Sequence, residues 1–258
     1  MKKKYNKLGK KQALKSLPVW NLTDLYPSIS SKKISIDLNY IKKTSMLFAK
    51  KYEGRITKLN SKTLFDAIRD IEKIDEKMDK ILSFAHLLVA ENADQEKNKI
   101  FFQQMQEKIT NYSSMLIFFT LELNQINENK LNNLLKNNKL IEYKTWIKNR
   151  RNFKPYQLDK NLEKLLQDKS ITSSSAWIRL FDETIAALRF PYKNKSLTSA
   201  EILNYLSDNK SNIRKAAAKS VGKVLGDNVK IFATITNTLA KDKSINDDWR
   251  KLPNPVTA

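Results

Sequence analysis

Residues 71–88 read IEKIDEKMDKILSFAHLL, and the fold class turns on this stretch. Ile71, Ile74, Met78, Ile81, Ala85 and Leu88 recur at intervals of 3, 4, 3, 4 and 3 residues. That spacing holds them on one face of an α-helix, the pattern of helices that pair antiparallel. A second helical pattern runs from about Gln95 to Leu123, with Phe101, Met105, Tyr112, Leu116, Phe119 and Leu123 along one stripe. Together they predict a helical hairpin joined across Ala90–Asp94.

Composition points the same way. Four glycines and six prolines in 258 residues leave few turn formers, so long helices with short links are expected. The absence of cysteine excludes disulfides, thiolate metal sites and cysteine nucleophiles. The densest apolar run, Met115 to Leu121, is too short to span a bilayer, and no apolar segment follows the basic N-terminus as in a secretory signal. No membrane partner is expected.

Working outward, residues 1–16 read as a solvated basic tail. The segment LPVWNLTDLYPS at 17–28 reads as extended, with Trp20, Leu22, Leu25 and Tyr26 anchoring it to the helical body. Residues 127–139 are Asn-rich and suggest a short surface helix or loop. Ser173–Ser175 precede a helix with Trp177, Phe181, Ile185 and Leu188 on one face, and a serine there suits an N-cap. Pro191 follows that helix, and a new unit begins near Leu197. A helix over 212–225 is expected to close at Gly226, and Val229, Phe232, Ile235 and Leu239 mark the next. No internal repeat and no alternating strand pattern is found. The expected class is all-α: helix hairpins followed by a further set of helices.

The net charge of +21 raises nucleic acid as a partner. The excess sits in three places: seven Lys and no acid in 1–16, eleven basic against four acidic groups in 130–170, and ten against five in 207–258. Lys outnumbers Arg 40 to 8, with 25 Asn, a balance of AT-rich coding more than of phosphate recognition, which favours Arg. Nucleic acid is therefore the less favoured partner, motivated chiefly by the aromatic–basic stretch YKTWIKNRRNFKPY at 143–156, with Trp146, Phe153 and Tyr156 among Lys and Arg.

Catalytic chemistry is not legible. His86 is the only histidine and reads as a packed helix residue with one hydrogen bond. One His and no Cys cannot supply the usual zinc ligand set, and no serine lies in a nucleophile elbow. Gly222 and Gly226 do not form a phosphate loop. Asp182 and Glu183 are neighbours about 100° apart on a helix and read as a solvated or salt-bridged face. Asp70, Glu72, Asp75, Glu76 and Asp79 read as exposed structural charges, with Lys80 four residues after Glu76 as its partner. No catalytic, cofactor-binding or metal residue is assigned.

Five blocks carry a resemblance: LPVWNLTDLYPS at 17–28, FAKKYEGRI at 48–56, AENADQEKNKIFFQQMQEKITNYSSMLIFFTLELN at 90–124, SAWIRLFDETIAALRF at 175–190 and LGDNVKIFATITNTLAKDKSINDDWRKLPNP at 225–255. In this order they resemble the oligoendopeptidase F branch of thimet-type zinc metallopeptidases. The resemblance implies a mostly helical, cytoplasmic enzyme of bacterial type that cleaves short peptides in a channel. It also implies zinc, held by two His on one helical turn and a downstream Glu, with a Glu beside the first His as general base. His-Glu-x-x-His does not occur here, so no ligand is carried over. The resemblance assigns 17–195 to the family's N-terminal helical region. It assigns 196–258 to the first helices of a catalytic domain cut before its metal helix. The expectation is a chain that neither binds zinc nor cleaves peptides alone, pairs with a missing catalytic part, and leaves apolar faces open over 212–240. The alternatives are a nucleic-acid-binding module and a non-catalytic peptide-binding or scaffold protein.

Overall fold

The computed structural model describes residues 20–92 and 95–257. The basic tail at 1–16 and part of the link across Ala90–Asp94 lie outside the described residues.

The chain enters through Tyr26, which is buried and donates from its hydroxyl to Asp37 at 2.9 Å. Lys77 Nζ reaches the other Asp37 oxygen at 2.6 Å. Burial raises the Tyr26 pKa well above the phenol range. Leu22 and Leu25 pack at the edge of the core, but Trp20 does not anchor: it is 54% exposed.

Helix α1 (Lys32–Tyr52) starts at Ser31, whose side chain accepts from Lys33 N–H. Helix α2 (Ser61–Glu91) starts in a capping box between Asn60 and Thr63, worth about 1 kcal/mol. The heptad stripe fulfils its reading: Ile71, Ile74, Met78, Ile81 and Ala85 are buried, with Leu88 packed at the margin. Helix α3 (Glu96–Ser113) returns along α2 and buries Phe101, Met105 and Ile109.

The second helix does not run unbroken to Leu123. It stops at Ser113 and restarts as α4 (Ile117–Gln125). Ser113 and Ser114 hydroxyls both donate to the Thr110 carbonyl, at 3.0 and 2.9 Å, competing with the helix ladder where it breaks. The break turns Phe118 and Phe119 onto Phe48, with ring centroids 5.9 and 5.6 Å away.

Next come α5 (Glu128–Leu134), a short 3-10 turn, α6 (Lys144–Arg151) and α7 (Lys160–Lys169). The Asn-rich stretch is less superficial than it reads, because Leu131, Leu134 and Leu135 enter the main core. Arg151 is buried beneath the end of α4. It donates to the carbonyls of Leu123, Asn124 and Ile126 at 2.7–3.1 Å and pairs with Glu128. Helix ends leave carbonyls unpaired, and one guanidinium satisfies three of them here.

Helix α8 (Ser174–Ala187) follows. Ser173 occupies the N-cap position, but its side chain makes no capping bond. A hairpin interrupts the helical order: β1 (Phe190–Tyr192) pairs antiparallel with β2 (Lys195–Leu197), in register Phe190–Leu197 and Tyr192–Lys195. Three-residue strands are too short for alternation to be read from sequence. The expected boundary between 195 and 196 falls inside β2. A separate small core of Phe190, Tyr192, Leu197, Ile202 and Ala217 begins at the hairpin and is completed by α9 (Ser199–Asn204) and α10 (Ser211–Asp227). Gly226 does not close α10: the helix passes through it, and Asn228 caps it, its amide donating to the Val224 carbonyl at 2.9 Å.

Helix α11 (Val229–Arg250) packs along α8, with Phe181 and Phe232 rings 5.7 Å apart. Arg250 at its end makes a two-pronged pair with Glu163 of α7, at 2.6 and 2.8 Å. Among the described residues α10 buries only Ala217 and α11 only Ile235, while Val229, Ile245 and Trp249 are exposed. No helix of the described residues is long and apolar enough to cross a membrane. The fold is all-α apart from the one hairpin.

Candidate binding cleft

One cavity of about 460 Å³ stands out, in the range of small-ligand sites. Three helices supply its walls. The end of α2 brings His86, Val89 and Ala90. Lys99, Phe102 and Gln106 come from α3 at intervals that share a face. From α8 come Ser175, Ile178, Arg179, Asp182, Glu183 and Ala186, again one face. The walls combine apolar surface with charges of both signs.

His86 is exposed at this rim rather than packed in the interior, its ring centroid 5.8 Å from that of Phe102. It lies one position round from the buried Ala85, just far enough to leave the core face. Asp182 and Glu183 are exposed as read, yet both look into the cavity. Lys99 pairs with Glu96 at 3.6 Å. Arg179 differs: its Nη1 is shut off from solvent without a hydrogen-bond partner.

Two other charged clusters are structural. The acidic run on α2 is not uniformly exposed. Burial pushes the Asp75 carboxyl up to about 6, helped by Asp79 and Glu72 and opposed by Arg150. Lys80 forms no pair with Glu76 and instead lies 5.1 Å from the centre of the Tyr26 ring. The 143–156 stretch is largely absorbed by the fold. Trp146 packs on the core near Phe119, Arg150 stacks on Trp146 at 5.3 Å, Tyr143 donates to Glu72 at 2.8 Å, and Arg250 covers Phe153 at 5.1 Å. The residue types of these clusters were visible in the sequence, but their partners are distant along the chain.

A zinc site takes three or four N, O or S ligands, and among the described residues no three of His, Cys, Asp and Glu gather to hold a metal ion. The sole imidazole stands at an open rim.

A helical fold with a cleft between a helix hairpin and a later helix is thus the class of protein defined. Residues 122–190 match the family model described as Oligopeptidase F. The chain is 25% identical to Oligopeptidase PepF of Bacillus subtilis (strain 168), over 93% of this chain and 36% of that protein. Its fold is similar to the crystal structure of oligoendopeptidase-F from Enterococcus faecium, with a TM-score of 0.75 and 16% identity, covering 87% of this chain and 44% of that one. The chain therefore spans about a third of the curated relative's length. These likenesses are to a part of oligoendopeptidase F-type proteins, and the fold is the part shared with the solved structure.

Proposed function

We propose that this chain is the lobe of an oligoendopeptidase F-type peptidase that walls the substrate channel, lining it with the cleft between the α2–α3 hairpin and α8. On this reading it works in the cytoplasm on short peptides and does not hydrolyse them by itself. The observation that carries the second statement is the donor set: one histidine, at an open rim, and no cluster of metal-binding side chains among the described residues. The chemistry of hydrolysis, a zinc-bound water and a general base, then belongs to residues of a catalytic part other than these 258.

The test uses the purified chain, a quenched fluorescent oligopeptide and added zinc. No hydrolysis above background is expected from the chain alone. Hydrolysis is expected when a catalytic part carrying His-Glu-x-x-His is co-expressed with it. Cleavage by the chain alone, abolished by a chelator, would sink the reading.

A non-catalytic peptide binder shares the cleft and differs in needing no catalytic part, so the co-expression arm separates the two. Nucleic acid binding has less support, because the aromatic and guanidinium groups of 143–156 are largely engaged within the fold. Steeply salt-dependent binding to DNA or RNA would be its signature.

A further inference from the structure

We propose that the outer face of α1, with the groove it forms against α2, is a docking surface for an acidic amphipathic helix of another protein. The surface is separate from the cleft, to which α1 contributes no lining residue.

A helix at the edge of a core ordinarily has one apolar face and turns it inward. Helix α1 has two. Ile34, Leu38, Ile41, Phe48 and Tyr52 enter the core. Ile36, Tyr40 and Leu47, spaced by four and then seven residues, share a second face and are 64, 39 and 54% exposed. Tyr40 and Leu47 also line a groove of about 280 Å³, whose α2 wall holds Asp70, Lys73 and Ile74. Exposed apolar residues scattered singly need no explanation, but three in register along a groove make a patch. The polar groups of the groove are matched within the fold. The Thr44 hydroxyl donates to the Tyr40 carbonyl at 2.7 Å, and Asp70 accepts from the Tyr52 hydroxyl at 3.1 Å and from Lys51 at 3.3 Å. What the groove leaves uncovered is apolar surface.

Charge decides the occupant. Helix α1 carries Lys32, Lys33, Lys42, Lys43, Lys50 and Lys51 against one acid, Asp37, which is buried and paired with Lys77. Lys43 and Lys50 beside the stripe and Lys73 across the groove are exposed and form no ion pair among the described residues. Asp66, exposed a turn before Asp70, leaves that balance positive. A second copy of the chain would set lysine against lysine. An acidic amphipathic helix gains attraction at the rim while its apolar side chains fill the floor. A concave floor between two helices receives such side chains, whereas a flat bilayer would touch only the ridge of α1. From Ile36 to Leu47 the stripe runs about 16 Å, which a partner helix of about three turns covers.

The test uses the full chain and a labelled synthetic peptide of about 18 residues, with Leu at helical spacing on one face and Glu on the other. A second peptide of the same composition has its Leu scattered round the helix, so general attraction to a basic chain is equal for both. Fluorescence anisotropy is expected to show saturable binding of the patterned peptide, about tenfold tighter than the scattered one. Tyr40→Ser with Leu47→Ser should remove that difference. Lys43→Glu with Lys73→Glu should weaken the patterned peptide about tenfold. Ile100→Ser, an exposed apolar change on α3, should alter neither affinity. Equal affinity for the two peptides, or a preference that survives the double serine change, overturns the proposal. So does binding to phosphatidylglycerol vesicles, or self-association in sedimentation, that the serine changes abolish while the parent shows no peptide preference. If the double serine variant loses its helical circular dichroism, the two peptides on the parent still decide, with the double glutamate variant locating the site.

Discussion

Residues 26–147 and residues 188–250 are made of the same material, amphipathic helices with short links, and are built differently. In the first region α1, α2, α3 and α4 share one continuous core that runs from Tyr26 to Ile147. In the second, five buried side chains gather around the hairpin, and the long α10 and α11 each bury a single one. A helix is stabilised mainly by the apolar face it buries, not by its own hydrogen bonds. The first region therefore carries most of the stability. The second leans on point contacts, chiefly the Arg250–Glu163 pair and the Phe181–Phe232 contact. The cleft lies at the edge of the first region, between the firmly packed α2–α3 hairpin and the half-buried α8.

The comparison can be broken most directly at Arg151. Arg151→Ala strips three carbonyls and Glu128 of their partner inside the larger region, and a loss of about 4 kcal/mol is expected from urea unfolding. A much smaller loss would mean that the main core tolerates polar damage as an exposed surface does. A paired truncation sharpens the contrast. Ile68→Ala in the large core should cost about 4 kcal/mol, and Ile202→Ala in the small one about 2, because a thin core collapses onto a cavity more easily. Both isoleucines are fully buried, so equal costs would erase the difference between the regions.

Glu163→Gln removes the charge that holds the end of α11 to α7. A loss of about 2 kcal/mol is expected, read as faster hydrogen exchange in α11 with little change in α2. Uniform exchange across both helices would show one cooperative unit instead of two unequal regions. Gly54→Ala should cost about 1 kcal/mol in thermal unfolding. Gly54 has φ of +74° and no atom within 4 Å of an added Cβ, so only the left-handed backbone resists.

The smallest effect concerns pH. The Asp75 carboxyl in the folded chain titrates at about 6, above its ordinary value of 3.8. Between those values the folded chain holds a proton that the unfolded chain releases, so acidification from pH 7 to 5 stabilises the fold through this group. Asp37 and Glu163 have lowered values and do not oppose it in that window, since their contribution is lost only at more acid pH. In Asp75→Asn the rise in urea midpoint between pH 7 and 5 should flatten; an unchanged rise would assign it elsewhere.

Much of the large region was legible. The 71–88 stripe and the return helix as far as Ser113 fell where spacing put them, because a periodic apolar face has one way to hide from water, and Tyr26 anchors the entering chain as read. Misreadings came where a distant partner decided. His86 and Ala85 are neighbours in an apolar run, and only the packing of α3 sets one at a rim and the other in the core. Asp75 looks as exposed as Glu76 in the sequence, but it is partly buried and lies within reach of the Arg150 charge on α6. Trp20 looks like an anchor because it is large and apolar, yet the core was already closed by Tyr26.

The candidate site was less legible than the fold. Its walls come from residues 86–106 and 175–186, and no spacing along the chain reports a distance across such a gap. The charge and aromatic content of 143–156 was visible, but not that its guanidinium and rings would be used internally.

By itself the sequence determined the helical class, the hairpin of α2 and α3, and the absence of His-Glu-x-x-His within these residues. Those follow from residue type and local period. Tertiary structure alone decided that one helix breaks at Ser113, that Phe190–Leu197 folds back as a hairpin, and that one Arg179 nitrogen is shut off from solvent without a partner. The physical reason is common to all three: each depends on which groups from remote parts of the chain satisfy, or fail to satisfy, a given side chain or backbone group.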